Sequence, residues 1–308
     1  MKKVKKEIVK KTMAMDLNLW EGNNVIMSKA LATGIHRLDI NGKRVTALAM
    51  SQIKREQASE LVENSYCVDL SASNYAKIFN LKRTEVYGSM KRGVSSLMKS
   101  HVRLNIKESD MKIQRRDIPW VQQIIYLEKE GKVRVEFNRL LTPHITRFVN
   151  EENGGYALYK IEQAGKLRSV YAWRLFELFS QYRDTGWLNI SVDELHSILE
   201  PAKSMRENFG KFRLYCLVPA VIELQEKCKL DVRMEYKQDG RKFTHVKFTF
   251  KDSPRDEQSN ASVMTLDTGG NQINNESSIN ENMGQYQSDS NKDEIAIDFR
   301  DDDYFQIE

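Results

Sequence analysis

The feature of this chain that most constrains its fold is one order of segments: helix, short strand, capped helix, basic helix and two-stranded hairpin. The order is clearest in residues 174–250, where the segments are RLFELFSQYRDTG, WLNI, SVDELHSILE, SMRENFGKFRLYCL and LDVRMEYKQDGRKFTHVKFTF. Apolar residues recur every three or four positions in the helical segments and alternate in the hairpin. Ser191 and Glu194 match a capping box at the start of the second helix. The pattern predicts a winged helix-turn-helix, a fold that places its basic helix in the major groove of DNA.

A looser version of the same order comes earlier in the chain. Residues 40–43 interrupt the apolar pattern, and an apolar-faced helix is expected at 44–53. A later helix is expected to have Thr84 as its N-cap residue. The sequence IIYLEKEGKVRVEF at 124–137 alternates as a hairpin does. The chain is therefore predicted to be an α+β protein, with two tandem winged helix-turn-helix domains and a disordered acidic C-terminal tail.

The predicted domain boundaries follow from changes in composition. Residues 1–24 form a basic arm, the first winged helix is expected at 25–150 and the second at 151–252. The sequence NEENGGY at 150–156 interrupts the pattern between them and is the predicted hinge. In residues 253–308 polar residues dominate and apolar periodicity stops, so this tail is predicted to be disordered.

Charge is divided unevenly along the chain. The whole sequence carries +5, but residues 251–308 contain 4 Lys and Arg against 14 Asp and Glu, so that segment carries −10 and residues 1–250 carry +15. A body this basic has a polyanion such as nucleic acid as its expected partner. The basic N-terminal arm is either a solvated end or a segment that touches phosphates, and the sequence leaves both open.

Composition also indicates where the protein works. No segment approaches the roughly 20 apolar residues of a membrane span, and the basic N-terminus lacks the apolar core of a signal peptide. The three cysteines match no zinc-ligand spacing and lie in apolar segments, as expected for buried free thiols in a reducing compartment: Cys67, Cys216 and Cys228. We therefore expect a cytoplasmic protein without a membrane partner.

The segment 203–217 is predicted to read DNA. Its apolar positions form one stripe, made of Met205, Phe209, Phe212 and Cys216. Arg can pair with guanine and Asn with adenine in the major groove, whereas basic residues of the wing would hold phosphates. The candidate DNA-binding residues are Lys203, Arg206, Asn208, Lys211 and Arg213 in this segment, with Lys237, Arg241 and Lys242 at the wing. A solvated helix face is the alternative; the agreement of helix, wing and net charge favours DNA.

The basic face of residues 84–99 leaves the same two interpretations open, DNA contact and a solvated surface. It carries Lys91, Arg92 and Lys99.

No motif supports chemistry by this chain. It has no GxxxxGK[ST] phosphate loop and no HExxH metal site, and its five histidines are scattered singly. A single-strand nickase would need a close histidine pair and a nucleophilic tyrosine, whereas the tyrosines here lie in apolar stripes typical of a core. We therefore expect no catalytic residue, no metal site and no cofactor; a nickase of rolling-circle replication remains an alternative that a cleavage assay would decide.

Residues 25–250 resemble the iteron-binding plasmid replication initiators, the theta-type Rep proteins with two winged-helix domains. The similar segments are SKALATGIHRLDINGKRVTALAMSQI, WVQQIIYLEKEGKVRVEFNRLLTPHI, YAWRLFELFSQYRDTG, ISVDELHSILE, FGKFRLYCLVPAVIEL and DGRKFTHVKFTF. Several motifs in the same order make chance similarity a poor explanation. The resemblance does not extend to residues 1–24 or to the acidic tail.

The resemblance implies that monomers bind direct repeats in double-stranded DNA at a replication origin. The C-terminal winged helix would read the repeat, and the N-terminal one would contact adjacent backbone and carry the homodimer interface. Bound monomers would help to open the duplex and recruit the host replicative helicase and its loader. Dimers, in equilibrium with monomers, would bind an inverted repeat at an operator and repress the initiator's own gene. Of the candidate contacts, only those in the FGKFR segment rest on a match to the family's motif.

Two questions remain open at the level of the sequence. A sequence-specific transcriptional repressor without origin function needs the same DNA-reading surface, so it stays the main alternative. The acidic tail is a solubilising linker, a competitor with DNA for the basic body, or a docking peptide for a host replication protein.

Overall fold

The computed structural model describes residues 23–53, 65–107, 113–146 and 155–252. The predicted tail, most of the predicted hinge and nearly all of the predicted N-terminal arm lie outside these residues. The described elements are, in chain order, β1 (Asn24–Ser28), α1 (Lys29–Thr33), α2 (Ile40–Ser51), β2 (Cys67–Ser71), α3 (Ala72–Phe79), α4 (Arg83–Lys99), β3 (His101–Lys107), β4 (Ile113–Pro119), β5 (Val121–Leu127), β6 (Lys132–Phe137), α5 (Thr142–Ile145), β7 (Tyr156–Lys160), α6 (Ile161–Ala164), α7 (Val170–Ser180), β8 (Trp187–Ser191), α8 (Val192–Leu199), α9 (Lys203–Arg206), α10 (Phe209–Phe212), α11 (Val218–Cys228), β9 (Leu230–Asp239) and β10 (Lys242–Asp252).

Two three-stranded antiparallel sheets share one topology. The strand order is β2-β6-β5 in the first and β8-β10-β9 in the second, so in both the last strand of the unit lies between the other two. Each sheet follows the same sequence of elements: α2, β2, α3, α4 and the β5–β6 hairpin in the first, and α7, β8, α8, a helix from 209 to 228 and the β9–β10 hairpin in the second. The predicted α+β fold with two winged helices is therefore confirmed.

The strands form because their apolar residues alternate over a helical layer. In β6, Val133, Val135 and Phe137 are buried, while Arg134 between them is exposed. The predicted hairpin at 124–137 is confirmed by the pairing of β5 with β6. A side-chain oxygen caps α3 and α8 at their N-termini, from Ser71 and Ser191, and the latter confirms the predicted helix start at residue 191.

Two expected helix starts in the first winged helix are wrong. Helix α2 begins at Ile40, because the carboxylate of Asp39 accepts a hydrogen bond from the amide of Gly42 at 2.7 Å and stabilises the first turn. The residues 40–43 are thus helical and do not interrupt the chain. Helix α4 begins one residue before Thr84, with Lys82 at the N-cap position and without a capping hydrogen bond from its side chain.

The first winged helix contains an additional hairpin that the sequence analysis did not predict. Strands β3 and β4 pair antiparallel from His101↔Pro119 onward, between the third helix and the wing strands. Arg103 and Asp117 lie opposite each other in this hairpin, and their side chains form an ion pair at 2.6 Å. In β3 the buried Val102 and Leu104 alternate with the more exposed His101, Arg103 and Asn105, so this strand does carry the apolar alternation of a half-buried sheet.

A third sheet joins distant parts of the chain. Strand β1 pairs antiparallel with β7, so that Ser28 faces Tyr156, the last residue of the predicted hinge. Ser28 also contacts the Nδ1 of His144 at 2.9 Å in the buried space below this sheet. Burial, and secondarily the Arg116 cation, lower the pKa of His144 from 6.5 to about 4. Both winged helices belong to one compact unit.

Four buried polar residues, which we call the ionic cluster, connect α2 and the segment before it with α7: His36, Lys43, Arg174 and Glu177. Lys43 of α2 contacts Glu177 of α7 at 2.6 Å, and Arg174 contacts the same carboxylate at 2.7 Å. Each of these three charged side chains is no more than 3% exposed. His36 lies 2.9 Å from the Lys43 ammonium.

Backbone groups from both winged helices complete the ionic cluster. The Arg174 guanidinium donates to the carbonyl of Gly34 at 2.5 Å and to that of Ile198 at 3.3 Å. Burial, partly offset by Glu177, lowers the pKa of Lys43 to about 8. Burial alone would raise the pKa of Glu177, but the neighbouring Lys43 and Arg174 cations outweigh it and lower that pKa.

Two further expectations concern cysteines and membranes. Cys216 and Cys228 are buried free thiols, as predicted, but Cys67 is exposed, because it lies at the start of β2 on the side of the strand away from the core. Among the described residues no helix is both long and apolar enough to cross a membrane.

Candidate nucleic-acid interface

The third helix of the second winged helix is continuous from residue 209 to 228, and we call it the recognition helix. It consists of α10, a π-helical segment (Arg213–Leu217) and α11. Arg213 and Val218, at the two junctions, have helical dihedral angles, with φ of −59° and −61°. Asn208 starts the helix, because its side-chain oxygen accepts a hydrogen bond from the Lys211 amide at 3.0 Å.

The predicted DNA-reading segment 203–217 is therefore divided. Residues Lys203–Arg206 form the separate short helix α9, because Asn208 adopts an extended conformation with φ −137° and ψ 104°. The recognition helix runs through Pro219 and continues to Cys228. Proline lacks the amide hydrogen of a regular helix, and the π-helical segment just before it shifts the hydrogen-bonding pattern.

The recognition helix is fixed to the core and to the wing by aromatic residues. Phe212 is fully buried, and its ring packs edge-on against His196 of α8 with centroids 4.4 Å apart. Phe209 stacks on Phe243 of β10 at 4.2 Å and lies 5.5 Å from Tyr236 of β9. These contacts hold the recognition helix, α8 and the β9–β10 hairpin in one arrangement.

The wing ends in a two-residue turn. Asp239 pairs with Lys242, so Gly240 and Arg241 are the central residues of the turn. Gly240 has φ +58°, a conformation that glycine adopts without steric cost and that a two-residue hairpin of this kind requires at its first central position.

All eight predicted DNA-binding side chains are exposed. Lys211 and Arg213 lie on the recognition helix, and Arg213 also lies over the ring of Tyr236, 5.8 Å from its centroid, which brings it beside the wing. Lys237, Arg241 and Lys242 surround the tip of the wing. Lys203 and Arg206 lie on α9 in the turn before the recognition helix, where Lys203 is 3.9 Å from Glu207. Asn208 uses its oxygen as a helix cap, which leaves both N–H groups of its amide available for a base contact.

The structure also presents two residues on the recognition helix that the sequence analysis passed over. Leu214 and Tyr215 are 56% and 62% exposed. The candidates were chosen by charge and hydrogen-bonding capacity, so large apolar side chains in a helical pattern were assigned to the core. The buried positions four residues apart, Phe212 and Cys216, would have identified 214 and 215 as outward positions.

The corresponding helix of the first winged helix is α4. Its Lys91 and Arg92 are exposed, as the sequence analysis expected. Its Gly93 lies so close to α2 that an added Cβ would be 2.5 Å from the carbonyl oxygen of Asn41. Helix α4 thus combines close packing on one side with a basic surface on the other, and both interpretations of that surface remain compatible with the structure.

Two families of known proteins match this chain. The family described as "Initiator Replication protein, WH1" matches residues 24–180, and the one described as "Initiator Rep protein, WH2" matches residues 191–250. An "Uncharacterized 27.6 kDa protein" of Escherichia coli is 24% identical over 234 residues, which cover 74% of this chain and 95% of that protein. The "PI protein" of Escherichia coli is 22% identical over 241 residues, which cover 70% of this chain and 78% of that protein.

A solved structure extends the comparison to the fold. The Pi initiator protein in complex with iteron DNA superposes with a TM-score of 0.60 at 20% sequence identity, over 74% of this chain and 96% of that one. At this level of identity the similarity concerns the fold alone. The two family matches together span both winged helices and more than half of the chain, so the chain belongs to the family of initiator replication proteins, with WH1 and WH2 domains.

Proposed function

We propose that this protein initiates plasmid replication by binding direct repeats at the origin through its second winged helix. The observation that carries the proposal is the capped recognition helix, whose outward basic side chains are held beside a basic wing by Phe209 and Arg213. Such a helix fits the major groove, and wing residues contact phosphates beside it. The relative that was solved with iteron DNA supports repeats as the target.

Several finer features belong to the same proposal. Bound monomers open an adjacent region of the duplex and recruit the host replicative helicase and its loader, while a dimer binds an inverted repeat and represses the protein's own gene. The first winged helix, through α4, contacts backbone beside the repeat and carries the dimer interface. The domains are then 25–150 and 151–252, and the protein works in the cytoplasm without its own catalytic activity. The +15 charge of residues 1–250 supports a DNA partner for this body.

The test is a nuclease footprint of the purified protein on DNA that flanks its own gene. Protection at regular intervals of about two helical turns would support repeat binding at an origin. One symmetric patch over a promoter would instead favour a transcriptional repressor without origin function. A covalent protein–DNA adduct in the presence of a divalent ion would contradict the proposal, because it would mean strand cleavage.

Two alanine variants test the assignment of roles within this surface. Arg213→Ala should weaken binding to the repeat by about 1–3 kcal/mol if the guanidinium pairs with a base. Lys242→Ala should weaken binding to all sequences similarly and lower the slope of log affinity against log salt by about 1. Lys166→Ala is the control, since Lys166 is exposed but lies near Cys228, at the opposite end of the recognition helix. If Arg213→Ala binds as tightly as Lys166→Ala, the role of Arg213 is refuted.

A further inference from the structure

The exposed apolar side chains of the recognition helix form a small surface of their own. Leu214 and Tyr215 are adjacent in the π-helical segment (Arg213–Leu217), and more than half of each side chain is exposed. Lys211 precedes them by three and four residues, so the three side chains share one face of the helix. The side chains of Phe212 and Cys216 are buried on another face of the helix. Leu214 and Tyr215 are thus outward positions, as are the exposed Lys211 and Arg213.

The outward face of a recognition helix is the part that enters a groove of DNA. Arg213, by contrast, lies towards the wing, where its guanidinium is over the ring of Tyr236. A recognition helix that inserts into the major groove contacts base edges mainly through its N-terminal part. Leu214 and Tyr215 lie in that part, close in the chain to the cationic Lys211 and Arg213, which would hold the adjacent DNA.

The chemistry of the exposed groups identifies what they would contact. The base edges in the major groove present hydrogen-bonding groups and one large apolar group, the C5-methyl of thymine. A leucine side chain cannot donate or accept a hydrogen bond, so it gains from a base edge only by burying apolar surface. An aromatic ring can pack on the same methyl group.

We propose that Leu214 and Tyr215 are specificity-determining residues that read thymine methyl groups in the repeat. The inference rests on the proposed function, namely that the second winged helix binds the repeat. It adds that the choice of base at one or two positions depends on apolar contacts from this pair as well as on arginine and asparagine. The repeat must therefore contain thymine where these side chains meet it.

The experiment removes the methyl groups from the DNA. Each thymine of the footprinted repeat is replaced singly by deoxyuridine, which differs only in lacking the C5-methyl, and affinity is measured on a duplex with one repeat. Wild-type protein should bind one or two of these duplexes about fourfold more weakly, the effect of exposing one methyl group. Leu214→Ala should weaken binding to the unmodified duplex and be insensitive to at least one of these replacements.

The variants separate the apolar contact from other effects. Tyr215→Phe keeps the ring and should retain the sensitivity to deoxyuridine, whereas Tyr215→Ala should lose it at one position. Leu140→Ala is the matched control, because Leu140 is 58% exposed, as Leu214 is, but lies before α5 in the first winged helix. It should bind and discriminate as wild type does.

The outcomes also distinguish this inference from the proposed function. If wild type gives no footprint on the flanking DNA, the proposed function fails. If wild type binds the repeat but no deoxyuridine replacement weakens it, the methyl-reading role is overturned and DNA binding stands. If Leu214→Ala loses affinity only on DNA with two or more repeats, the surface contacts a second copy of the chain, and the inference is likewise overturned.

Discussion

Removing the negative charge of Glu177 should destabilise the protein far more than removing an exposed one. The Glu177 carboxylate is 1% exposed and lies 2.6 Å from the Lys43 ammonium and 2.7 Å from the Arg174 guanidinium. At an effective dielectric constant of about 20 and at these distances, each of the two cations attracts the carboxylate by about 6 kcal/mol. Taking the carboxylate out of water costs several kcal/mol in return. Glu177→Gln leaves two buried cations without a counter-charge and should lower the free energy of unfolding by about 3–5 kcal/mol.

The assay is denaturant unfolding followed by circular dichroism, with the slope of the transition as a check on two-state behaviour. Glu207→Gln is the matched control: its pair with Lys203 spans 3.9 Å and its members are 84% and 64% exposed. An exposed pair of this kind contributes less than about 1 kcal/mol. Equal losses in the two variants would refute the reasoning, because they would mean that Glu177 is not a buried charge that compensates Lys43 and Arg174.

Acid provides a second measurement of the same interaction. The pKa of Glu177 is lowered below its ordinary value of 4.5 in the folded protein, chiefly because the Lys43 and Arg174 cations outweigh the effect of burial. The ionised carboxylate therefore contributes stability that is fully present above pH 4.5 and is lost as the pH falls through the lower folded value. The difference in stability between wild type and Glu177→Gln should narrow below pH 4.5. A constant difference at all pH values would contradict this.

Three more predictions concern packing, a buried histidine and the acidic tail. Gly93→Ala should cost about 1–3 kcal/mol of stability, because its Cβ would lie 2.5 Å from the Asn41 carbonyl oxygen. Gly88→Ala on the same helix meets only a flexible side chain at 3.5 Å and should stabilise the protein by up to about 1 kcal/mol. Denaturant unfolding checks both variants. His144 has a pKa of about 4 in the folded protein, whereas its ordinary value is 6.5. Its neutral form therefore contributes stability above pH 6.5, and this contribution is lost as the pH falls towards 4. In His144→Gln up to about 3 kcal/mol of this loss should disappear, which unfolding measured at both pH values checks. Deleting residues 253–308 should raise affinity for non-specific DNA at low salt if the acidic tail competes with DNA, and an unchanged affinity in a salt titration would refute this competition.

Periodicity was sufficient to predict the repeated architecture, because each winged helix buries one face of every element. Two of these patterns are local, namely the alternation of Val133, Val135 and Phe137 and the capping of α8 by Ser191. Each depends only on residues nearby in the chain, so it can be recognised in the sequence. Sequence reasoning failed where an element depends on a residue that the apolar pattern does not reveal. The carboxylate of Asp39 converts the apparent break at 40–43 into the first turn of α2. In the β3–β4 hairpin, β3 alternates through the buried Val102 and Leu104, but β4 does not, since Arg115, Arg116 and Asp117 follow one another.

The candidate DNA-binding residues could be predicted as exposed positions, but their arrangement could not. The position of Asn208 as a helix cap depends on its extended backbone, and that of Arg213 depends on Tyr236, which is 23 residues away in the chain. The ionic cluster was not predicted either, since Lys43 of α2 and Glu177 of α7 are 134 residues apart and each alone resembles an ordinary surface charge. Contacts between residues so far apart in the chain leave no local pattern in a single sequence.

The two winged helices differ in what their third helices can contact, although their sheets have one topology. Helix α4 lacks a side-chain cap and packs Gly93 tightly against α2, while it presents Lys91 and Arg92 to solvent. The recognition helix is capped, contains a π-helical segment and exposes Leu214 and Tyr215 beside its basic residues. Charges alone can hold phosphates, whereas discrimination among bases needs groups matched to their edges. The two third helices therefore present different chemistry to a DNA partner, and the proposed reading of DNA sequence rests on the outward side chains of the second winged helix.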